Sequence, residues 1–169
     1  MKNGLAVSLL CLFAVGGWAA DSIPNPLIDY PGFEQQVSLV GKLRESRRIS
    51  ESQFIRMAAE PGTVILDARS VEKFQLLHVK GARNLSLPDF TEEDLARVIP
   101  AKTTRILIYC NNNFLREPEA FRTKNLRASL NIYTFNVLYS YGYTNVYELG
   151  PLLDIDQTKL KFEGTRAPG

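Results

Sequence analysis

Short apolar strands alternate with capped helices along most of this chain, and that alternation restricts it to an α/β fold. Thr63-Val64-Ile65-Leu66-Asp67-Ala68 is a run rich in branched residues, opening after the Pro61-Gly62 turn. Arg105-Ile106-Leu107-Ile108-Tyr109 is a second such run, Asn145-Val146-Tyr147-Glu148-Leu149 a third, and a shorter apolar segment over 82–87 stops at Pro88. Runs this short with little polar alternation fit strands covered on both faces, the habit of a parallel sheet. Helix signals fall between them. Ser50 and Gln53 form a capping box ahead of Phe54, Ile55, Met57 and Ala58, and a short helix is expected over 71–77. Thr91 with Asp94 caps a helix through Leu95 and Val98 to Ile99, and 128–141 reads as a helix with an apolar face at Leu130, Tyr133, Val137 and Leu138, closed by Gly142. The expected architecture is a mainly parallel central sheet with helices on both faces.

The start of the chain has a different logic. Lys2 precedes the apolar run from Leu5 to Val15, and Gly16-Gly17-Trp18-Ala19-Ala20 follows, the order of a secretory signal peptide. The run is shorter than the roughly 20 apolar residues that span a bilayer. Cleavage is expected after Ala19, giving a periplasmic or secreted protein with no stable membrane insertion afterwards. Removing 19 of 169 residues leaves 169 − 19 = 150, the size of one domain. Without Lys2 the chain has 19 basic against 18 acidic residues, a net charge of +1 with no basic tail, which argues against nucleic-acid binding. The expected division is 1–19 signal peptide, 20–41 an extended N-terminal segment punctuated by Pro24, Pro26, Pro31 and Gly32, 42–163 the folded domain, and 164–169 a C-terminal tail.

Of the two cysteines, Cys11 falls in the signal peptide, so Cys110 has no internal disulfide partner in the mature chain. A lone thiol in an oxidising compartment is either buried and inert or kept reactive for a purpose. Cys110 directly follows the Arg105–Tyr109 strand, and ligands of such sheets bind just beyond the carboxyl ends of the strands. Loop amides and a following helix end would there favour an anionic sulfur.

The ordered series Ile65-Leu66-Asp67-Ala68-Arg69, Glu72, His78-Val79-Lys80-Gly81-Ala82-Arg83-Asn84, Ile108-Tyr109-Cys110 and Tyr141-Gly142-Tyr143-Thr144-Asn145-Val146-Tyr147-Glu148-Leu149 resembles the rhodanese-like domain family over about residues 47–153. The resemblance implies a sulfurtransferase or sulfur carrier. Cys110 would take a sulfane sulfur from a small anionic donor, hold it as a persulfide, and pass it to a thiophilic acceptor, with no cofactor. The amides of Asn111, Asn112, Asn113 and Phe114 would cradle the sulfur, with Asp67 and Arg69 in support. Family sulfurtransferases have a compact, glycine-containing loop after the cysteine; here the stretch from Asn111 to Arg127 is long and has no glycine. Asparagine tolerates left-handed backbone better than most residues, so the three asparagines could still turn amides inward.

Two alternatives stay open. Cys110 and Arg116 have five residues between them, the Cys-x5-Arg spacing of rhodanese-like phosphatases, although Glu117 and Glu119 oppose a phosphate dianion. The enlarged loop instead suits a non-catalytic binding or redox-sensing module with a protein partner. Arg116, Arg122, Lys124 and Arg127 against Glu117 and Glu119 give the loop 4 − 2 = +2. His78, the single histidine, has no companion at metal-ligand spacing, so no metal site is expected, and the resemblance implies a loop-anchoring role for it. The aromatics from Tyr133 to Tyr143 read as core and helix flank.

Overall fold

The computed structural model describes residues 23–167; the expected signal peptide and Cys11 lie outside the described residues. Five helices, α1 (Tyr30–Arg47), α2 (Glu51–Ala58), α3 (Val71–Leu76), α4 (Glu92–Val98) and α5 (Leu130–Ser140), surround a sheet of β1 (Arg48–Ile49), β2 (Val64–Asp67), β4 (Arg83–Asn84), β5 (Ile106–Tyr109) and β7 (Val146–Leu149). Strand order is β1-β7-β5-β2-β4 and every pairing is parallel. Two short accessory pairs join β3 (His78–Val79) to β9 (Phe162–Glu163) and β6 (Phe114–Leu115) to β8 (Leu153–Asp154).

The apolar runs are divided by the two-residue period of the strand. Val64, Leu66, Ile106, Ile108 and Val146 face one core with Leu95 of α4 and Phe135 and Leu138 of α5. Ile65, Leu107, Tyr109 and Leu149 face the other with Phe54 of α2, Leu77, Phe114 and Phe121. Both faces are covered, so β2 and β5 are buried at every position.

The capping predictions hold: Ser50 and Gln53 close a reciprocal box on α2, and the Thr91 side chain accepts from the Asp94 N–H on α4. The segment expected to be extended through residue 41 is instead helical from Tyr30. Asp29 accepts from the Gly32 N–H, Pro31 occupies the first turn, and Val40 is fully buried in the α4–α5 core. Proline here starts a helix, where its fixed φ fits and its missing N–H costs nothing. The expected tail is also partly anchored: Thr165 and Arg166 donate to the carbonyls of Gln75 and Leu76. Gly164, at φ 127, passes so close to Leu76 that an added Cβ would sit 2.5 Å from its carbonyl oxygen.

Candidate functional site

Cys110 directly follows β5 at the carboxyl edge of the sheet and is 1 % exposed. Its backbone is extended, at φ −148 and ψ −175, so the strand alternation continues: Cys110 follows Ile106 and Ile108 toward α5, whereas Tyr109 points to the opposite core. Its sulfur lies 3.4 Å from the Ser129 hydroxyl, and Ser129 is the N-cap of the eleven-residue α5. The positive end of that helix therefore meets the sulfur. Cys110, Ser129, Asn131, Asn112, Leu126 and Arg44 are among the residues lining a cavity of about 230 Å³.

The chain after Cys110 makes a 3-10 turn, Asn111–Asn113. Within it the Asn113 N–H donates to the Cys110 carbonyl and the Phe114 N–H to that of Asn111, so two of the four expected cradle amides are committed to the turn itself. Phe114 is a core residue, 1 % exposed and packed on Phe121 and Phe162. Asn113 is the hub. Its Oδ1 accepts from the Cys110 N–H at 2.9 Å and from Asn131 Nδ2 at 3.2 Å, while its Nδ2 donates to the carbonyls of Leu149 and Pro151. These bonds fix which way the Asn131 amide points and leave Asn131 Oδ1 buried without a partner. Asn112 staples the turn to the long loop, its Nδ2 donating to the Lys124 carbonyl at 2.9 Å and its Oδ1 accepting from the Lys124 N–H at 3.0 Å.

Arg116 is not brought to this cavity. At φ 71 it turns away beside β6, its Nε donating to Asp154 at 2.5 Å. Hydrogen bonding to Asp154 raises the Arg116 pKa, and the same bond lowers that of Asp154. The arginine clamp that Cys-x5-Arg chemistry needs is thus engaged elsewhere.

Asp67 and Arg69 lie on the far side of the sheet from the thiol. Arg69 donates to Asp67 through Nε and NH2, and also to the carbonyls of Ala120 at 2.9 Å and Leu77 at 2.7 Å. Tyr109 donates to Asp67 Oδ2 at 2.5 Å and accepts from the Val79 N–H at 3.1 Å. Burial pushes the Tyr109 phenol well above its ordinary pKa, and the Asp67 carboxylate adds to this. Burial opposes the Arg69 charge, yet its bonds to Asp67 more than compensate and raise its pKa. This network ties β2, the residue before β3 and the loop at Ala120 together. His78 also anchors, stacking on Phe74 and bonding its carbonyl at 2.7 Å.

Sequence reasoning missed Ser129 and Asn131 because they stand nineteen and twenty-one residues beyond Cys110. Ser129 was findable as a cap: a serine directly ahead of Leu130 and the apolar helix face. Glu148, 2 % exposed and held by Arg44 and Arg48 at the cavity wall, carried no comparable signal.

Comparison with known proteins decides the family. The model of the rhodanese-like domain matches residues 50–150. The chain belongs to the rhodanese-like domain family. Over 96 residues it is 30 % identical to the thiosulfate sulfurtransferase PspE of Escherichia coli K12, an alignment covering 57 % of this chain and 77 % of that protein. The rhodanese-like domain of the Alr3790 protein from Anabaena superposes with a TM-score of 0.51 at 23 % identity, covering 73 % of this chain and 85 % of that one. The BH2092 protein of Bacillus halodurans gives 0.50 at 18 % identity, covering 81 % and 88 %. The two structures speak to the fold of this rhodanese-like domain. Among the described residues no helix is long and apolar enough to cross a membrane, and no cluster of three His, Cys, Asp or Glu side chains could hold a metal.

Proposed function

We propose that this rhodanese-like domain is a sulfurtransferase that carries sulfur on Cys110. The carrying observation is the Cys110 sulfur at the carboxyl end of β5, 3.4 Å from the hydroxyl of Ser129, the residue at the N-cap position of α5, beside a small cavity. Helix end and hydroxyl both favour negative charge on that sulfur. Thiosulfate, the substrate in the name of its E. coli relative, suits the chemistry. The Cys110 thiolate attacks the outer sulfur, the donor's S–S bond breaks, and sulfite leaves with the electron pair. A thiophilic acceptor then attacks the outer sulfur of the persulfide and regenerates the thiolate. The N–H groups of Asn111 and Asn112 lead the 3-10 turn and remain the best candidates for the cradle. The reading includes export to the periplasm or beyond, on the order of charge and apolar residues in 1–19.

A second reading, a binding or redox-sensing module, is favoured by one observation: Cys110 is 1 % exposed under an enlarged loop. The discriminating experiment is intact-mass analysis of the mature protein after thiosulfate, with Cys110→Ser as control. The expected result is one added sulfur, removable by cyanide and absent in the variant. No added mass on the wild type overturns the sulfurtransferase reading.

A further inference from the structure

The loop that distinguishes this chain from compact family loops passes the cysteine cavity as Arg122-Thr123-Lys124-Asn125-Leu126-Arg127-Ala128, with three cations and no acid. The ion pairs nearby run elsewhere, Arg116 to Asp154 and Arg166 to Glu117, and none among the described residues engages Arg122, Lys124 or Arg127. Leu126 is 82 % exposed in the midst of these charges and also lines the cavity that holds Cys110. Arg122 and Lys124, with Lys73, line a second cavity of about 570 Å³ reaching the other side of the turn at Asn111. Asn111 is 5 % exposed, and its Oδ1 has no partner.

We propose that residues 122–128 dock an acidic peptide segment of a partner protein that presents the acceptor thiol to Cys110. The proposal rests on the sulfur-carrier reading. Carboxylates of the segment meet the three unpaired cations, and an apolar side chain covers Leu126. A bare oxyanion does not offer the second of these contacts. The surface is ordered in advance: Asn112 holds Lys124 through two hydrogen bonds, and the Asn125 side chain and carbonyl accept from the N–H groups of Arg127 and Ala128. Preorganisation of this kind lowers the ordering cost of association. In the transfer step the partner thiolate attacks the outer sulfur of the Cys110 persulfide. One S–S bond forms as the other breaks, the pair returns to Cys110 as thiolate, and no outside oxidant or reductant takes part.

The test uses sulfur-loaded mature protein and two cysteine peptides of equal length, one flanked by glutamate and leucine, the other by lysine and leucine, with glutathione as a small acidic thiol. At low ionic strength the acidic peptide is expected to accept sulfur with kcat/KM about tenfold above the basic one, the advantage shrinking with salt. In the Arg122→Glu/Lys124→Glu/Arg127→Glu variant the order inverts. Equal rates for the two peptides, an order unchanged by charge reversal, or glutathione matching the acidic peptide in both proteins overturns docking. A parallel arm measures fluorescence anisotropy of the acidic peptide, its cysteine replaced by serine, against Cys110→Ser protein. Binding lost on charge reversal upholds the surface even where Cys110 takes no sulfur, which separates failure of the docking surface from failure of the sulfur chemistry.

Discussion

Tyr109 and Cys110 are consecutive, yet their side chains belong to two opposite regions. On the Tyr109 side, Asp67, Arg69 and the phenol form a closed set of hydrogen bonds between 2.5 and 3.1 Å, every charge matched. On the Cys110 side, Asn111 Oδ1 and Asn131 Oδ1 are buried without partners, beside a cavity. A protein ordinarily satisfies its buried polar atoms, so the lining beside the thiol is less completely matched than the Tyr109 network. The strand period puts these two regimes one residue apart, so a closed hydrogen-bond network can abut the thiol of Cys110 from the other face of the sheet.

Three substitutions probe that contrast. Arg69→Ala leaves the Asp67 carboxylate buried and uncompensated, an expected loss of about 3–5 kcal/mol in urea unfolding. A loss under about 1 kcal/mol would mean the network is not the rigid half. Asn113→Ala strips acceptors and donors from Cys110, Leu149 and Pro151, and should cost about 2–3 kcal/mol while abolishing sulfur loading in the mass assay. Intact loading would separate the turn from the chemistry. Arg116→Ala should leave loading unchanged and act only on acid stability. Because the Arg116 bond lowers the Asp154 pKa in the folded state, its contribution is present above the ordinary aspartate range and fades as pH falls through the lowered folded value. The acid-unfolding midpoint, in the region below about pH 4, should therefore move upward in the variant. A loading defect in Arg116→Ala would reinstate the arginine as a site residue.

Much of the fold was legible because it is carried by local signals. The apolar runs at 64–67 and 106–109 and the caps at Ser50 and Thr91 each state their structure within a few residues. The helix over Tyr30–Arg47 was hidden by Pro31 and Gly32, which read as breakers unless Asp29 is recognised as the cap. Of the site, the position of Cys110 followed from strand order alone. Its surroundings did not, since Ser129 and Asn131 arrive across the long loop and the partner of Arg116, Asp154, lies thirty-eight residues on. Spacing in sequence cannot reveal that a nearby arginine is claimed by a distant carboxylate.

The loop over the cysteine is clamped near its stem, by Arg69 on the Ala120 carbonyl and by Asn112 on Lys124. Residues 125–128 between that second clamp and the Ser129 cap contribute no buried side chain to either core. Their sequence can therefore drift with little effect on the fold, so the short arc is free to vary while the scaffold beneath it stays the same.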